Sequence, residues 1–418
     1  MTQDQAFTIL ESGVNVFLTG PAGSGKTYVL NKFIANQRAK GKVVAVTAST
    51  GVAATHMDGV SIHSWAGIGI HETLSLGQAK AIAAKEKVAD AIKSADILVI
   101  DEISMLDRFR LDAVQTVCMI ARQNPSPFGG LQVILCGDFF QLPPVNRNGT
   151  EAHFAFKSNA WHAMDIHVCY LQEQHRQEDG PFLSLLKAIR NNTVDEEHFE
   201  LLQSRFNAKI RSGIKPTRLF THNIDVDAIN QKELDALTGD EEVFPMYTEG
   251  PKKLLELLVK GCLAPEELVL KVGAAVMFVK NNFPKGYVNG TLGTVIGFNT
   301  EGAPIVQTFS GKLIEVELSS WEMEEPGKEK ARIYQLPLRL AWAITIHKSQ
   351  GMTLDAAEID LRKSFVPGMG YVALSRVRSL SGISLLGVNA IAMQISPEVL
   401  AFNKRMIAES KSLTLSIV

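Results

Sequence analysis

The sequence predicts an α/β protein of two lobes, each built around a parallel β-sheet. At 418 residues the chain exceeds what one compact core accommodates and suits two or three domains. Its first third alternates short apolar runs with helix-like segments, and the same rhythm returns in its second half.

In the first lobe, Val16–Thr19, Val43–Thr47, Ile97–Ile100 and Val133–Cys136 are rich in β-branched residues and bounded by glycine or polar residues. They lack strict alternation, which suits strands buried on both faces of a parallel sheet. Tyr28–Ala39 and Arg110–Ala121 read as helices between them. In the second lobe Leu219–Thr221 precedes a helix from about Asp225, and Ala356–Leu361, Tyr371–Val377 and Ile383–Leu386 read as further strands. The boundary falls near Cys169, giving lobes of 1–168 and 169–418. Two stretches break the rhythm. Residues 56–91 are polar with Ala and Gly, and form an insert in the first lobe. Residues 269–332 read as β throughout, with an Asn289-Gly290 turn signal, and predict a small β-barrel inserted in the second lobe. Pro397–Ser410 reads as a closing helix, and no internal repeat is visible.

Composition excludes several classes. A net charge of −2 means that any nucleic-acid site is a local groove and not a globally basic surface. Apolar runs such as Ala274–Val279 are strand-length, so no membrane partner is expected. Cys118, Cys136, Cys169 and Cys262 are scattered without a CxxC pair, which suits a reduced, cytoplasmic setting. The N-terminus has no basic region followed by an apolar stretch, and the expectation is a cytoplasmic enzyme of minimal bacterial or phage type.

Gly20-Pro-Ala22-Gly23-Ser24-Gly25-Lys26-Thr27 fits GxxxxGK[ST] directly after a strand. Its glycines let backbone N–H groups converge on phosphate oxygens, and the following helix N-terminus favours the anion. Lys26 then reaches the β/γ phosphates, and the Thr27 hydroxyl ligates Mg²⁺. Asp101 and Glu102 follow the strand Ile97–Ile100, where Asp101 suits Mg²⁺ and Glu102 suits activation of the attacking water. Adjacent acids at this position mark a hydrolysing motor more than a switch GTPase, and no NKxD or TKxD string is present to read guanine. Gln141 ends the next strand, where an amide senses the γ-phosphate; elsewhere it would pass for a surface glutamine.

The order of motifs is specific. GPAGSGKT (20–27), TASTGVAA (47–54), SIHSWAGIG (61–69), DEISML (101–106), GDFFQLPPV (137–145), QHRQ (174–177), TIHKSQGMTLD (345–355) and YVALSRV (371–377) follow one another along the chain. With these strings the chain resembles the Pif family of superfamily 1B DNA helicases, and more distantly the phage Dda and bacterial RecD helicases. The resemblance implies two RecA-like P-loop NTPase lobes, with a wedge insert in lobe one and an SH3-like barrel in lobe two. It implies an ATP-dependent helicase moving 5′ to 3′ on single-stranded DNA; forked or structured DNA is the expected partner, and a monomer the expected state in solution. DNA repair, recombination, telomere maintenance and G-quadruplex processing are the settings it suggests, and no residue selects among them.

Carried over residue by residue, the resemblance makes Gln3 the adenine reader, with Gln5 as the alternative register. Arg176 and Arg376 become the arginine fingers of the second lobe, for which a planar, permanent cation is the right group. Gly351 approaches the nucleotide, and Gln350 helps close the cleft. Thr47, Thr50 and Gly51, then Ser61, His63 and Ser64, are DNA-binding candidates in lobe one. His63 reads equally as a satisfied buried histidine, and Trp65 reads as packing more than as a base platform. Asn223, Thr345, His347, Lys348 and Ser349 are the candidates in lobe two, a donor set that suits phosphates better than base edges. Two other readings compete: a RecD-like motor subunit, and a DNA-stimulated ATPase acting as translocase or adaptor without strand separation. Glu102 and the two arginines equip the site for rapid hydrolysis and count against the adaptor reading.

Overall fold

The computed structural model describes the chain except residues 51–52, 55–56, 58, 70–72, 145–151, 174–179, 211–215, 223–225, 283, 288, 309, 325–329 and 418. A six-stranded parallel sheet forms the first lobe. Its strands are β1 (Asn15–Thr19), β2 (Val44–Ala48), β3 (Val60–Ser61), β4 (Ile97–Asp101), β5 (Gln132–Cys136) and β6 (Ile166–Tyr170), in the order β3-β2-β4-β5-β1-β6. β1 and β5 each have four consecutive buried residues, as expected of strands covered on both faces. Because all six run parallel, the chain leaves β1, β4 and β5 at one edge, where Gly20, Glu102 and Gly137 follow them.

The strand β6 runs across the expected boundary at residue 168. Its pairing with β1 continues through Cys169 and Tyr170, so the first sheet ends two residues later. The stretch 56–91 is also not separate from the lobe. Val60–Ser61 is an edge strand of the main sheet, and the helices Leu76–Ala83 and Glu86–Ser94 pack on the helix Arg108–Arg122. Ala79, Ile82 and Ala83, then Val88, Ala91 and Ile92, recur at helical spacing and are buried.

The second parallel sheet has the order Ala343–Thr345, Thr217–Phe220, Ala357–Leu361, Ile383–Val388. Tyr371–Val377, expected as a strand, is mostly the helix Met369–Ser375. Every residue of that helix is buried, so its apolar run carries no 3.6-residue contrast and mimics a covered strand. Antiparallel pairing extends from Glu242 to Leu340, wider than 269–332. The five-stranded part runs Leu313–Glu315, Pro304–Thr308, Leu292–Phe298, Ala275–Phe278, Leu338–Leu340. Gly290, beside it, has φ 94°, and a Cβ there would lie 2.6 Å from the Thr353 carbonyl oxygen, so the antiparallel region rests closely on the segment after Gly351. Among the described residues no helix is long and apolar enough to cross a membrane.

The closing helix, Pro397–Ile417, belongs by sequence to the second lobe but packs on the first. Ser410 Oγ accepts from the Tyr170 amide at 3.1 Å, and Phe402 lies among Phe17, Phe139, Phe156 and Trp161, stacked on Phe156 at 4.1 Å. Removing that ring leaves a cavity in an aromatic cluster. Phe402→Ala is expected to lower the unfolding free energy by about 3–5 kcal/mol. A denaturant titration followed by tryptophan fluorescence checks it, and an unchanged midpoint would show that the helix adds nothing to the first-lobe core.

Candidate functional site: a nucleotide cleft between two lobes

The loop after β1 is shaped by its glycines. A Cβ on Gly20 would lie 2.6 Å from the Leu171 carbonyl oxygen, and Gly23 and Gly25 both sit at φ 84°. Gly25 starts the helix Lys26–Ala39 without a side-chain cap, so the first amides of that helix are free to serve an anion. Lys26 Nζ donates to the carbonyls of Gly20 at 2.8 Å and Pro21 at 3.0 Å. Burial holds this ammonium below its ordinary pKa, with the Asp138 charge opposing. Thr27 is exposed on the first turn. Gln3 Nε2 donates to the Ser24 carbonyl at 3.3 Å, whereas Gln5 is used in a capping box with Thr2. The geometry therefore favours Gln3 over Gln5 beside the loop.

At the end of β4 two carboxylates crowd together. Asp101 Oδ1 accepts from the Glu102 amide at 2.8 Å, and Glu102 adopts φ 50°, ψ 45°. A non-glycine residue in that left-handed region costs on the order of 1–3 kcal/mol and persists where the surroundings over-determine it. Across the cleft Gln350 Nε2 donates to Glu102 Oε2 at 3.0 Å. Burial, then the Asp101 charge, pushes the Glu102 carboxyl up to about 7, against Arg376, Lys26 and the Gln350 hydrogen bond. Burial also raises Asp101. Arg376 is 2% exposed; its Nε donates to the Val372 carbonyl at 3.1 Å, and one Nη donates to Ser375 Oγ at 3.0 Å. Burial lowers its pKa, and Glu102 is the first charge to oppose that.

These residues fit a nucleotide and a divalent ion. Ser24 Oγ, Gln141 Oε1 and Gln350 Oε1 are buried without partners, on the loop, the sensor position and the opposite lobe. Such polar atoms carry a desolvation cost that a polar ligand relieves. Among the described residues no group of three His, Cys, Asp or Glu could hold a metal. A divalent ion here would take Thr27 and Asp101 and complete its shell from phosphates and water, as Mg²⁺ does.

The DNA candidates divide. Thr47 is fully buried and its Oγ1 donates to the Val99 carbonyl at 2.6 Å; Ser349 is fully buried and donates to the Ile346 carbonyl at 2.7 Å. Both hydroxyls donate to backbone carbonyls inside the fold. Thr345, also buried, accepts from the Lys348 amide at 3.2 Å. Thr50 accepts from the Ala53 amide, and Ser61 caps the helix Ile62–Trp65 through the Ser64 amide. Burial holds the His63 and His347 imidazoles below the usual histidine pKa, so each is a neutral donor or acceptor at pH 7. Trp65 packs against the core. Lys348 stays half-exposed, and Gly351 (φ 81°) has open space where a Cβ would sit. Gly51, Arg176 and Asn223 lie outside the described residues.

Sequence reasoning missed two features. Phe365, 50% exposed, lies between His222 and His347, with ring centroids 4.8 and 6.2 Å away, beside a cavity of about 570 Å³ between the lobes. The second is a buried ion pair: Arg190 Nη1 donates to both Asp138 oxygens at 2.8 and 2.6 Å. Asp138 stands inside a string already singled out, but nothing in the helix Gly180–Asn191 marks Arg190 as buried.

Residues 3–199 match a family described as PIF1-like helicase, and residues 253–298 match one described as DNA helicase Pif1, 2B domain. The chain is similar to the ATP-dependent DNA helicase Pif1 of Psychrobacter sp., at 43% identity over 95% of this chain and 69% of that protein. It is also similar to human ATP-dependent DNA helicase PIF1, at 40% identity over 96% of this chain but 63% of the human protein, less than two thirds of its length. Among solved structures, Bacteroides sp. Pif1 in complex with ADP-AlF4 has a TM-score of 0.82 at 30% identity, covering 97% of this chain and 96% of that one. Bacteroides Pif1 in complex with ADP-AlF3 and single-stranded DNA has a TM-score of 0.65 at 31% identity, covering 96% of both.

The split among the DNA candidates is testable. Lys348→Ala is expected to weaken single-stranded DNA binding and to reduce the salt slope of log Kd by about one. Ser349→Ala is expected to leave that slope unchanged and lower thermal stability instead. Fluorescence anisotropy on a labelled oligonucleotide across a salt series reads both, and equal slope losses would return Ser349 to the groove.

Proposed function

The chain belongs to the PIF1-like helicase family, and from that premise we propose that it is an ATP-dependent DNA helicase that hydrolyses ATP between its lobes and moves on single-stranded DNA. The observation that carries this reading is the hydrogen bond from Gln350 to Glu102, which joins the candidate base of one lobe to the motif of the other that precedes Gly351.

Lys26 would leave the Gly20 and Pro21 carbonyls for the β/γ phosphates, exchanging two neutral acceptors for charged ones. Thr27 and Asp101 would hold Mg²⁺, which when bound supplies positive charge to the phosphate oxygens. Glu102 accepts the proton of the attacking water; its raised pKa makes it a stronger base than an exposed glutamate. Gln141 senses the γ-phosphate and orients the water. Arg376, from the second lobe, stabilises the charge that develops on the transferred group, and Arg176 is assigned the same role by its place in the QHRQ string. Gln3 contacts the base.

A ligand favours a closed cleft only through contacts that differ between open and closed states. The γ-phosphate does so, because Arg376 and Gln350 come from one lobe while Lys26 and Glu102 come from the other. Its loss releases the cleft. If both lobes grip DNA, through Thr50, Ser61 and Ser64 on one side and His347 and Lys348 on the other, each cycle shifts the strand. The better superposition on the relative with nucleotide analogue than on the one that also holds single-stranded DNA supports rearrangement when DNA enters. The family's 5′-to-3′ direction and its action on forks come to this chain on the same footing. The wedge and SH3-like inserts are assigned to the helices of 62–94 and the antiparallel region of 242–340.

ATPase measured with and without single-stranded DNA, beside unwinding of forks tailed at either end, tests the reading. DNA-stimulated hydrolysis and unwinding from a 5′ tail are expected; stimulation without strand separation would leave a translocase. Within the site, Lys26→Ala should lose ATP binding. Glu102→Gln should keep binding and lose about 10²–10⁴-fold in turnover; normal hydrolysis by this variant would remove Glu102 from the base role.

A further inference from the structure

Three buried side chains that no motif role accounts for meet at one oxygen. The Tyr371 hydroxyl accepts from the Ala22 amide of the phosphate loop at 3.1 Å and from Arg190 Nη1 at 3.2 Å, and it donates to Asp138 Oδ2 at 3.5 Å. Two accepted bonds and one donated bond use the full capacity of a hydroxyl. Arg190 also donates through Nη2 to the Tyr170 hydroxyl at 3.3 Å and lies 3.7 Å over the Phe140 ring. Asp138, Arg190 and Tyr371 are 0%, 5% and 2% exposed.

Each contact reaches a different segment of the site. Ala22 belongs to the phosphate loop, and Asp138 and Phe140 to the loop that carries Gln141. Tyr371 stands in the helix Met369–Ser375, whose C-terminal end carries Arg376. That helix is seated on the sensor loop a second time at its start. Gly368 has φ 90°, and a Cβ there would lie 2.9 Å from the Phe140 carbonyl oxygen. Only glycine permits the approach.

We propose that Tyr371 is a positioning residue, whose hydroxyl ties the helix bearing Arg376 to the phosphate loop while the Asp138–Arg190 pair anchors it to the sensor loop. The two kinds of bond differ in strength. A buried ion pair with satisfied partners is costly to open, so it stays and acts as the pivot. The Ala22 bond is a single neutral one, which the loop can shift or release when it closes on a phosphate. The state of the loop is thereby felt at Arg376 without a direct contact between them. The proposal rests on the reading of residues 20–27 as the phosphate site.

Tyr371→Phe in the full chain removes the oxygen and keeps the ring. ATPase at saturating oligo-dT, binding of a fluorescent ADP and the melting temperature are measured for wild type, Tyr371→Phe, Arg376→Ala and the double variant. Tyr371→Phe is expected to lower kcat about tenfold and to change KM and ADP affinity by less than about twofold, a loss confined to turnover. In the Arg376→Ala background it should cost nothing further, because a residue acting through the finger has nothing left to position. Arg190→Lys, which keeps the charge but not the fork, should repeat the turnover loss. Unchanged kcat in Tyr371→Phe, or a Tyr371→Phe loss that multiplies with Arg376→Ala, overturns the proposal while ADP binding stays intact. Failure of the wild-type chain to bind ADP overturns the phosphate-site reading itself.

Discussion

Placing a guanidinium and a carboxylate together away from water costs several kcal/mol per ion, and the cost is recovered only if every donor and acceptor is used. Arg190 and Asp138 come close to that condition. Nη1 of the guanidinium reaches both carboxylate oxygens and the Tyr371 hydroxyl, and Nη2 donates to the Tyr170 hydroxyl. The Phe140 ring covers the cation. The position of the sensor loop, of the helix Met369–Ser375 and of the last strand of the first sheet all depend on this cluster. Neither Arg190 nor Asp138 can leave without exposing an unpaired buried charge, so the pair holds together segments from both lobes.

Around that point the charges of the cleft are poised and not yet satisfied. Lys26 turns onto its own loop's carbonyls, Arg376 onto its own helix, and Glu102 is held by an amide from the other lobe. For the two cations, a bond to a charged phosphate oxygen is stronger than one to a neutral carbonyl. Glu102 itself sits in left-handed backbone, with its carboxylate against the Gln350 amide.

Much of this was legible in the residue order. The strand–loop–helix of the phosphate site, the acids after β4 and the glutamine after β5 stand where the motifs placed them, because local rules govern them: glycine at positive φ, a helix N-terminus, and the common edge of parallel strands. Tyr371–Val377 was not legible as a helix, since a segment covered on all sides loses the periodicity that marks one. That the hydroxyls of Thr47 and Ser349 donate to the Val99 and Ile346 carbonyls is visible only in three dimensions. Phe365 had no sequence signal at all, because its neighbours His222 and His347 come from distant parts of the chain.

By itself, then, the sequence determined the two-lobed α/β plan, the nucleotide chemistry and the family, since all three are written in short strings whose geometry is local. Tertiary structure decided which lobe owns the closing helix, which hydroxyls face outward, and that Arg190 is buried against Asp138. Those outcomes depend on desolvation, and desolvation is a property of everything packed around a residue, not of the residues beside it in the chain.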